Sequence, residues 1–146
     1  MAFNEDQFSL DVWSDFQMNS SRIEYRDIII DRKSKYTLVA LKVDSLPQVK
    51  ELFKELQSES YFRKATHNSY SYRIIQDNGS IIEGKNDDGE QWAWLCILRE
   101  LQRENAVNIM MVVTRYFWGV QLHNDRFKNV IDACKLFFEK EKNKKL

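Results

Sequence analysis

Residue types that build specialised sites are scarce in this 146-residue chain. It has four glycines, one proline, two cysteines and two histidines, and its 22 basic residues balance 22 acidic ones. So few glycines leave no phosphate-binding loop, and without a Cys-x-x-Cys pair we expect no zinc site and no cofactor. The zero net charge gives no overall field toward nucleic acid or an anionic membrane.

Long hydrophobic runs are also missing. No apolar stretch approaches the roughly 20 residues of a membrane helix, and the N-terminus lacks the basic-then-apolar pattern of a secretory signal. Cys96 and Cys134 lie among apolar residues at helical spacing, which predicts two small core residues. We therefore expect a soluble protein of a reducing compartment, the cytoplasm or the nucleus, with a cytoplasmic location as the default.

Apolar residues make up 43% of the chain and aromatic residues 13%, which is enough for one globular core. Residues 1–24 are polar and interrupted, so they form either a short docked helix or a mobile arm. The folded domain is predicted at 25–140, and residues 141–146 form a charged tail.

Hydrophobic periodicity and turn signals predict eight elements. They are strands at 23–31 and 36–43, a helix at 46–58, strands at 69–76 and 80–83, a helix at about 90–104, a strand at 109–117, and a helix from 124 or 125 to 140. The 109–117 strand is the most apolar and is predicted to be central. The order β-β-α-β-β-α-β-α predicts an α+β domain with a mixed sheet and three helices packed mainly on one face.

The third predicted strand alternates between two kinds of side chain. Tyr70, Tyr72 and Ile74 share one face, which we assign to the core, while His67, Ser69, Ser71 and Arg73 share the other. Two interpretations stay open for the polar face. It is either the solvated side of a one-sided antiparallel sheet or a docking surface.

In three further stretches, charged or bulky residues lie where a predicted helix or strand begins or ends. Asp87, Asp88 and Glu90 precede a helix, where carboxylates cap the first turn or, alternatively, bind a divalent metal. Arg115 ends an apolar strand, so it either pairs with one of these carboxylates or faces a ligand. Trp118 follows in a turn and is large enough to be an exposed anchor.

Several of these residues fall in short segments with a recognisable order. The segments are Ala65-Thr66-His67-Asn68, Tyr72-Arg73-Ile74, Asp87-Asp88-Gly89-Glu90 and Val113-Thr114-Arg115-Tyr116-Phe117, with Asp31-Arg32-Lys33-Ser34 and Asp125-Arg126-Phe127-Lys128 outside them. Together they resemble the ancient domain of the IMPACT family, whose bacterial members are the YigZ-like proteins. The resemblance covers roughly residues 26–138, and the two outer segments are similar to its eukaryotic branch.

The resemblance implies a fold like the second domain of a small-subunit ribosomal protein. It also implies translational control, because eukaryotic IMPACT proteins compete for the scaffold that activates the starvation-responsive kinase of the initiation factor. Association with monomeric actin belongs to the family as well, and nucleic-acid binding is the usual suggestion for the bacterial members.

We therefore expect a non-enzymatic, regulatory protein-binding module whose partner is the kinase-activating scaffold, the ribosome or actin. The expected binding surface comprises His67, Asn68, Arg73, Asp87, Asp88, Glu90, Arg115 and Trp118. The alternative is an RNA- or ribosome-binding domain. A third interpretation, a hydrolase that uses His67 with the acidic turn, has no nucleophile motif to support it.

The sequence departs from the family pattern at several glycine positions and at the N-terminus. Bulky residues, Gln91-Trp92-Ala93-Trp94 and Trp118, replace glycines of the family, which counts against a loop that cradles phosphate or RNA. In addition, only about 25 residues precede the match, where eukaryotic relatives usually carry an RWD domain. We expect either a minimal single-domain relative or part of a longer protein.

Overall fold

Five strands and four helices form the described part of the chain in the computed structural model, which covers residues 16–86, 90–117, 119, 122 and 124–144. The strands are β1 (Arg22–Asp31), β2 (Ser34–Lys42), β3 (His67–Ile75), β4 (Ile81–Lys85) and β5 (Ile109–Tyr116). The helices are α1 (Leu46–Ser58), α2 (Ser60–Arg63), α3 (Gln91–Arg103) and α4 (Asp125–Asn143). The predicted α+β class is confirmed, and α2 is a single turn that the periodicity did not indicate.

Both predicted hairpins are present, and each closes through residues with positive φ. Arg32 and Lys33 have φ of 47° and 74° between β1 and β2. Gly79 has φ of 88° in the Asn-Gly turn between β3 and β4, where the Gln76 N–H donates to the Ser80 carbonyl at 2.8 Å. The two-residue turn between β1 and β2 and the three-residue turn that ends in Gly79 both suit the twist of the flanking strands, so they set the register of each hairpin.

The sheet has the order β1-β2-β5-β3-β4, and each neighbouring pair is antiparallel. The prediction of a mixed sheet is therefore wrong. Each helical crossover does join parallel strands, β2 to β3 through α1 and β4 to β5 through α3. In each case an antiparallel strand lies between the two, so parallel strands never become neighbours. The predicted central position of β5 is confirmed.

Helices cover both faces of the sheet. On one face, α3 and α4 contribute Ile97 and Phe137 to a core that includes Leu38 and Met111. On the other face, α1 and α2 form a second core with Val39, Leu41, Met110 and Val112. The expectation that the helices gather mainly on one face is wrong, because the apolar residues of β2 and β5 point to both sides and each side must be covered.

Both ends of the regular structure extend beyond the predicted domain of 25–140. Phe16 and Met18 are buried in the core under α4, and β1 begins at Arg22. At the other end α4 continues to Asn143, and the buried Glu141 accepts a hydrogen bond from the Tyr25 hydroxyl at 2.5 Å. The last helix therefore includes residues 141–143 of the predicted tail. Residues 1–15 of the predicted arm lie outside the described residues.

Candidate functional site

One end of the sheet brings together the sequence segments that looked functional. In the strand registers, Arg115 of β5 lies opposite His67 of β3 on one side and opposite Tyr36 of β2 on the other. Directly opposed residues point to the same face, so these three side chains form a row under α3 and α4. Since β4 and β5 both end here, the two long helices that follow them also start here.

Arg115 pairs with Glu90, the residue that precedes the first turn of α3. The Arg115 Nη1 lies 2.9 Å from the Glu90 Oε2, and the two side chains are only 8% and 11% exposed. A carboxylate in this position also interacts favourably with the free N–H groups at the helix start. The structure therefore selects the carboxylate-paired alternative for Arg115, with Glu90 as the partner.

Arg126 of α4 adds a second cation to the same carboxylate. Its Nη1 is 3.9 Å from the Glu90 Oε2, and its guanidinium lies 5.1 Å from the Trp92 ring centre and 5.7 Å from that of Phe127. The two rings are 4.5 Å apart, and the Arg126 side chain is 38% exposed. We call Glu90, Trp92, Arg115, Arg126 and Phe127 the sheet-end cluster.

Sequence reasoning missed three members of this cluster as site residues. Arg126 and Phe127 appeared only as part of a family-like segment, and Trp92 only as a departure from the glycines of the family. The available signal was that each of two predicted helices carries an aromatic residue in its first turn, Trp92 in one and Phe127 in the other.

A polar network fixes α4 to the β1–β2 hairpin beside the cluster. Arg32 bridges Asp31 and Asp125, and the Asn129 Nδ2 donates to the Asp31 Oδ2 at 2.9 Å. The bonds from Arg32 and then Asn129 lower the pKa of the Asp31 carboxyl to about 2. Burial raises the pKa of the neighbouring Tyr36 phenol, which keeps that group neutral. The two outer family-like segments of the sequence thus contact each other.

Arg73 does not belong to an open surface. It is 7% exposed, its Nε donates to the Glu83 Oε2 at 2.9 Å, and its Nη1 donates to the Ala106 carbonyl at 3.0 Å. Ser69 and Ser71 are buried on the same face, and the Ser71 hydroxyl donates to the Trp94 carbonyl of α3. Both interpretations of this strand face as solvated or docking are therefore wrong for these three residues, because α3 covers them.

Asn68 has a structural role at the start of β3. Its Nδ2 donates to the Phe62 carbonyl at 2.8 Å, and its Oδ1 accepts a hydrogen bond from the Thr114 hydroxyl at 2.7 Å. Asn86, which sequence reasoning did not single out, donates to the Asn68 carbonyl and accepts from the Tyr70 N–H. These amides hold β3, β5 and the end of β4 in place below the cluster.

The remaining expected site residues divide into two groups. His67 is half-buried in the row beside Arg115. Asp87, Asp88 and Trp118 lie outside the described residues, so the acidic turn has no described geometry. Over the described ranges, no group of three or more His, Cys, Asp or Glu residues is arranged to hold a metal ion. No helix in that part of the chain has the length and apolarity to span a membrane.

Fold and site define a class: an antiparallel α+β domain with an arginine–aromatic cluster where two helices begin. The family model described as the Impact N-terminal domain matches residues 32–136. The chain belongs to this family, and the resemblance seen in its motifs is confirmed. A Protein IMPACT homolog of Schizosaccharomyces pombe is 38% identical over 107 residues, which are 73% of this chain and 38% of that protein.

Two solved structures have related folds. One, described as a hypothetical protein, superposes with a TM-score of 0.69 at 19% identity and covers 80% of this chain and 56% of its own. The other is the two-domain translational regulator Yih1, with a TM-score of 0.51 at 29% identity over 80% of this chain and 43% of that one. The chain thus spans less than half the length of the IMPACT homolog and of Yih1.

Proposed function

We propose that this chain is a non-enzymatic protein-binding module of translational control. In this proposal it binds the scaffold that activates the starvation-responsive kinase of the initiation factor, and so restrains that kinase. Membership of the Impact N-terminal domain family supports the proposal, as does the fold shared with a translational regulator. Cytoplasmic action follows from the same role.

The observation that carries the proposal is the sheet-end cluster. Arginine and tryptophan are among the residues most enriched at the energetic hot spots of protein interfaces. Arg126 is held in place by two aromatic rings and a carboxylate but keeps part of its side chain exposed. Less side-chain entropy is lost when a partner binds a residue that is already ordered.

A capture experiment tests this surface. The purified chain is immobilised and the purified kinase scaffold is passed over it. We expect Arg126→Ala to weaken capture about tenfold or more, because interface anchors of this kind cost over 1 kcal/mol when truncated. Lys54→Ala, an exposed change on α1 at the opposite face, is the matched control and should leave capture unchanged.

The kinase itself supplies the second readout. In a reconstituted reaction, phosphorylation of the initiation factor that depends on the scaffold should fall as the wild-type chain is added, and fall less with Arg126→Ala. If Arg126→Ala and Lys54→Ala behave identically in both assays while circular dichroism shows both folded, the sheet-end cluster is not the binding surface.

RNA binding is the competing outcome, and ionic strength separates it. Phosphate contacts weaken steeply with salt, whereas a largely apolar interface does not. Arg73 and Arg115 are each buried and bonded to a glutamate, so neither offers a free guanidinium to phosphate. We expect capture that resists nuclease and changes little between low and moderate salt.

A further inference from the structure

The two faces of the sheet are covered unequally. The face below α3 and α4 carries helices of 13 and 19 residues, whereas the other carries α1, with 13 residues, and the single turn α2. A helix is about 10 Å wide and strands lie about 4.8 Å apart, so one helix covers only about two of five strands. Phe62 of α2 extends the cover toward β1, but the outer part of β3 and β4 extends past α1.

This uncovered part forms a groove between α1 and β4. Its two halves are cavities of about 530 Å³ and about 380 Å³, and Leu46 at the start of α1 lines both. Leu46 is 44% exposed, which is unusual for a large apolar side chain in this molecule. The apolar lining includes Leu46, Pro47, Tyr72, Ile74 and Ile82. We call this surface the α1–β4 groove.

Gly84 shapes the floor of the second half. A Cβ atom built at Gly84 would lie 2.1 Å from the Tyr72 Oη and 2.4 Å from its Cζ. The Tyr72 ring therefore lies directly on the β4 backbone, where any other residue would force it up. Glycine at position 84 therefore lets the Tyr72 ring lie low, and this keeps the smaller half of the groove deep.

Charges of opposite sign mark the two halves. Asp44 and Asp77 line the larger half, and Lys50 and Lys85 line the smaller one. None of Asp44, Asp77 and Lys50 forms an ion pair with another described residue. The Lys85 Nζ lies on the α3 face, 4.7 Å from the Trp94 ring centre, so Lys50 supplies the positive charge of the smaller half. An occupant that complements this surface is apolar in its middle, basic at one end and acidic at the other.

We propose that the α1–β4 groove binds a short extended segment of a partner protein. The segment places two apolar side chains in the two halves, a basic residue beside Asp44 and Asp77, and an acidic residue beside Lys50. The charge pattern fixes its direction. The groove lies on the α1 face, whereas the sheet-end cluster lies under α3 and α4, so this site is a second contact independent of the first.

Synthetic fluorescein-labelled peptides are the probe. Each carries two leucines separated by one to three serines, flanked by Arg at one end and Glu at the other, in both orders. Fluorescence polarisation with the full chain should show that at least one peptide binds about tenfold tighter than three controls. The controls replace the leucines with serine, both ends with Arg, or both ends with Glu. Equal binding of all peptides overturns the proposal.

Protein variants then locate the site. Leu46→Ser should weaken the best peptide about tenfold, and Lys50→Glu should favour the peptide with Arg at both ends. Ile30→Ser is the matched control, since Ile30 is 60% exposed on β1 away from the groove. Weakening by Ile30→Ser equal to that by Leu46→Ser overturns the assignment, as does self-association of the chain that Leu46→Ser abolishes.

Arg126→Ala separates this inference from the proposed function. This substitution should leave the affinity for the best peptide within about twofold of the wild-type value. If scaffold capture is lost while peptide binding is intact, the proposal for the groove is supported. If scaffold capture is intact but no peptide binds, the groove proposal is wrong and the proposed function is unaffected.

Discussion

Arg115 and Glu90 form an ion pair with an Nη1–Oε2 distance of 2.9 Å, and about nine-tenths of each side chain is buried. The pair joins the end of the central strand to the start of α3, two elements separated by 25 residues in sequence. Removing one member leaves the other charge buried without compensation, which costs more than the pair contributes when intact.

Glu90→Ala should therefore lower the free energy of unfolding by about 3–5 kcal/mol. Urea denaturation followed by circular dichroism measures it. Asp132→Ala is the matched control, because it breaks an exposed ion pair with Lys128 on α4 and should cost less than about 1 kcal/mol. Similar losses for the two variants would show that the Glu90 carboxylate is solvated rather than buried.

Arg73→Met should destabilise the fold by about 2–4 kcal/mol, since it leaves the Ala106 carbonyl without a donor and the Glu83 carboxylate without its cationic partner, with only Gln102 still donating to it. Because α3 covers this residue, scaffold capture per folded molecule should not change. Denaturation gives the stability, and capture is measured at a temperature where the variant is fully folded. A folded variant that no longer captures the partner would give Arg73 a binding role.

Gly84→Ala should lower the free energy of unfolding by about 1–3 kcal/mol, because the added methyl displaces the Tyr72 ring. In a Tyr72→Ala background the same substitution should cost less than about 0.5 kcal/mol, since nothing then occupies the space. Four denaturation curves complete this double-mutant cycle. Additive effects would mean that the ring and the β4 backbone do not restrict each other.

Asp31 predicts a specific acid dependence of stability. Its pKa is about 2 in the folded protein, below the ordinary value of 3.8, so the carboxylate stabilises the fold above about pH 4 and loses this contribution as the pH falls toward 2. The difference in unfolding free energy between wild type and Asp31→Asn should be constant from about pH 5 to 7 and shrink below about pH 4. Denaturation across this range tests it; a difference unchanged down to about pH 2 would contradict the assignment.

Local signals in the sequence predict most of the elements of this fold. Asn78-Gly79 and the turn at 31–34 specify hairpins through backbone angles that neighbouring residues alone determine. The unbroken apolar run from Ile109 indicates a strand covered on both faces. What these signals omit is which element covers each face, because that depends on the path of the crossovers.

Arg73 and Arg126 show the same limit for the site. Alternation correctly separates Arg73 from Tyr72, but only the position of α3 decides whether the outer face is open. Arg126 meets Trp92 because β4 and β5 end at the same edge, although the residues are 34 positions apart. Contacts between distant segments follow from the strand order of the sheet. In this sheet β5, the last strand of the chain, lies in the middle.

The position of β5 also affects the order in which the chain can fold. The strand is made last of the five, yet it lies between β2 and β3 and bonds to both. Until it leaves the ribosome, the two hairpins have no common neighbour and expose four strand edges instead of two. Unpaired edges promote association between chains, and late non-local pairing slows folding. We therefore expect the growing polypeptide to depend on chaperones until Tyr116 has emerged.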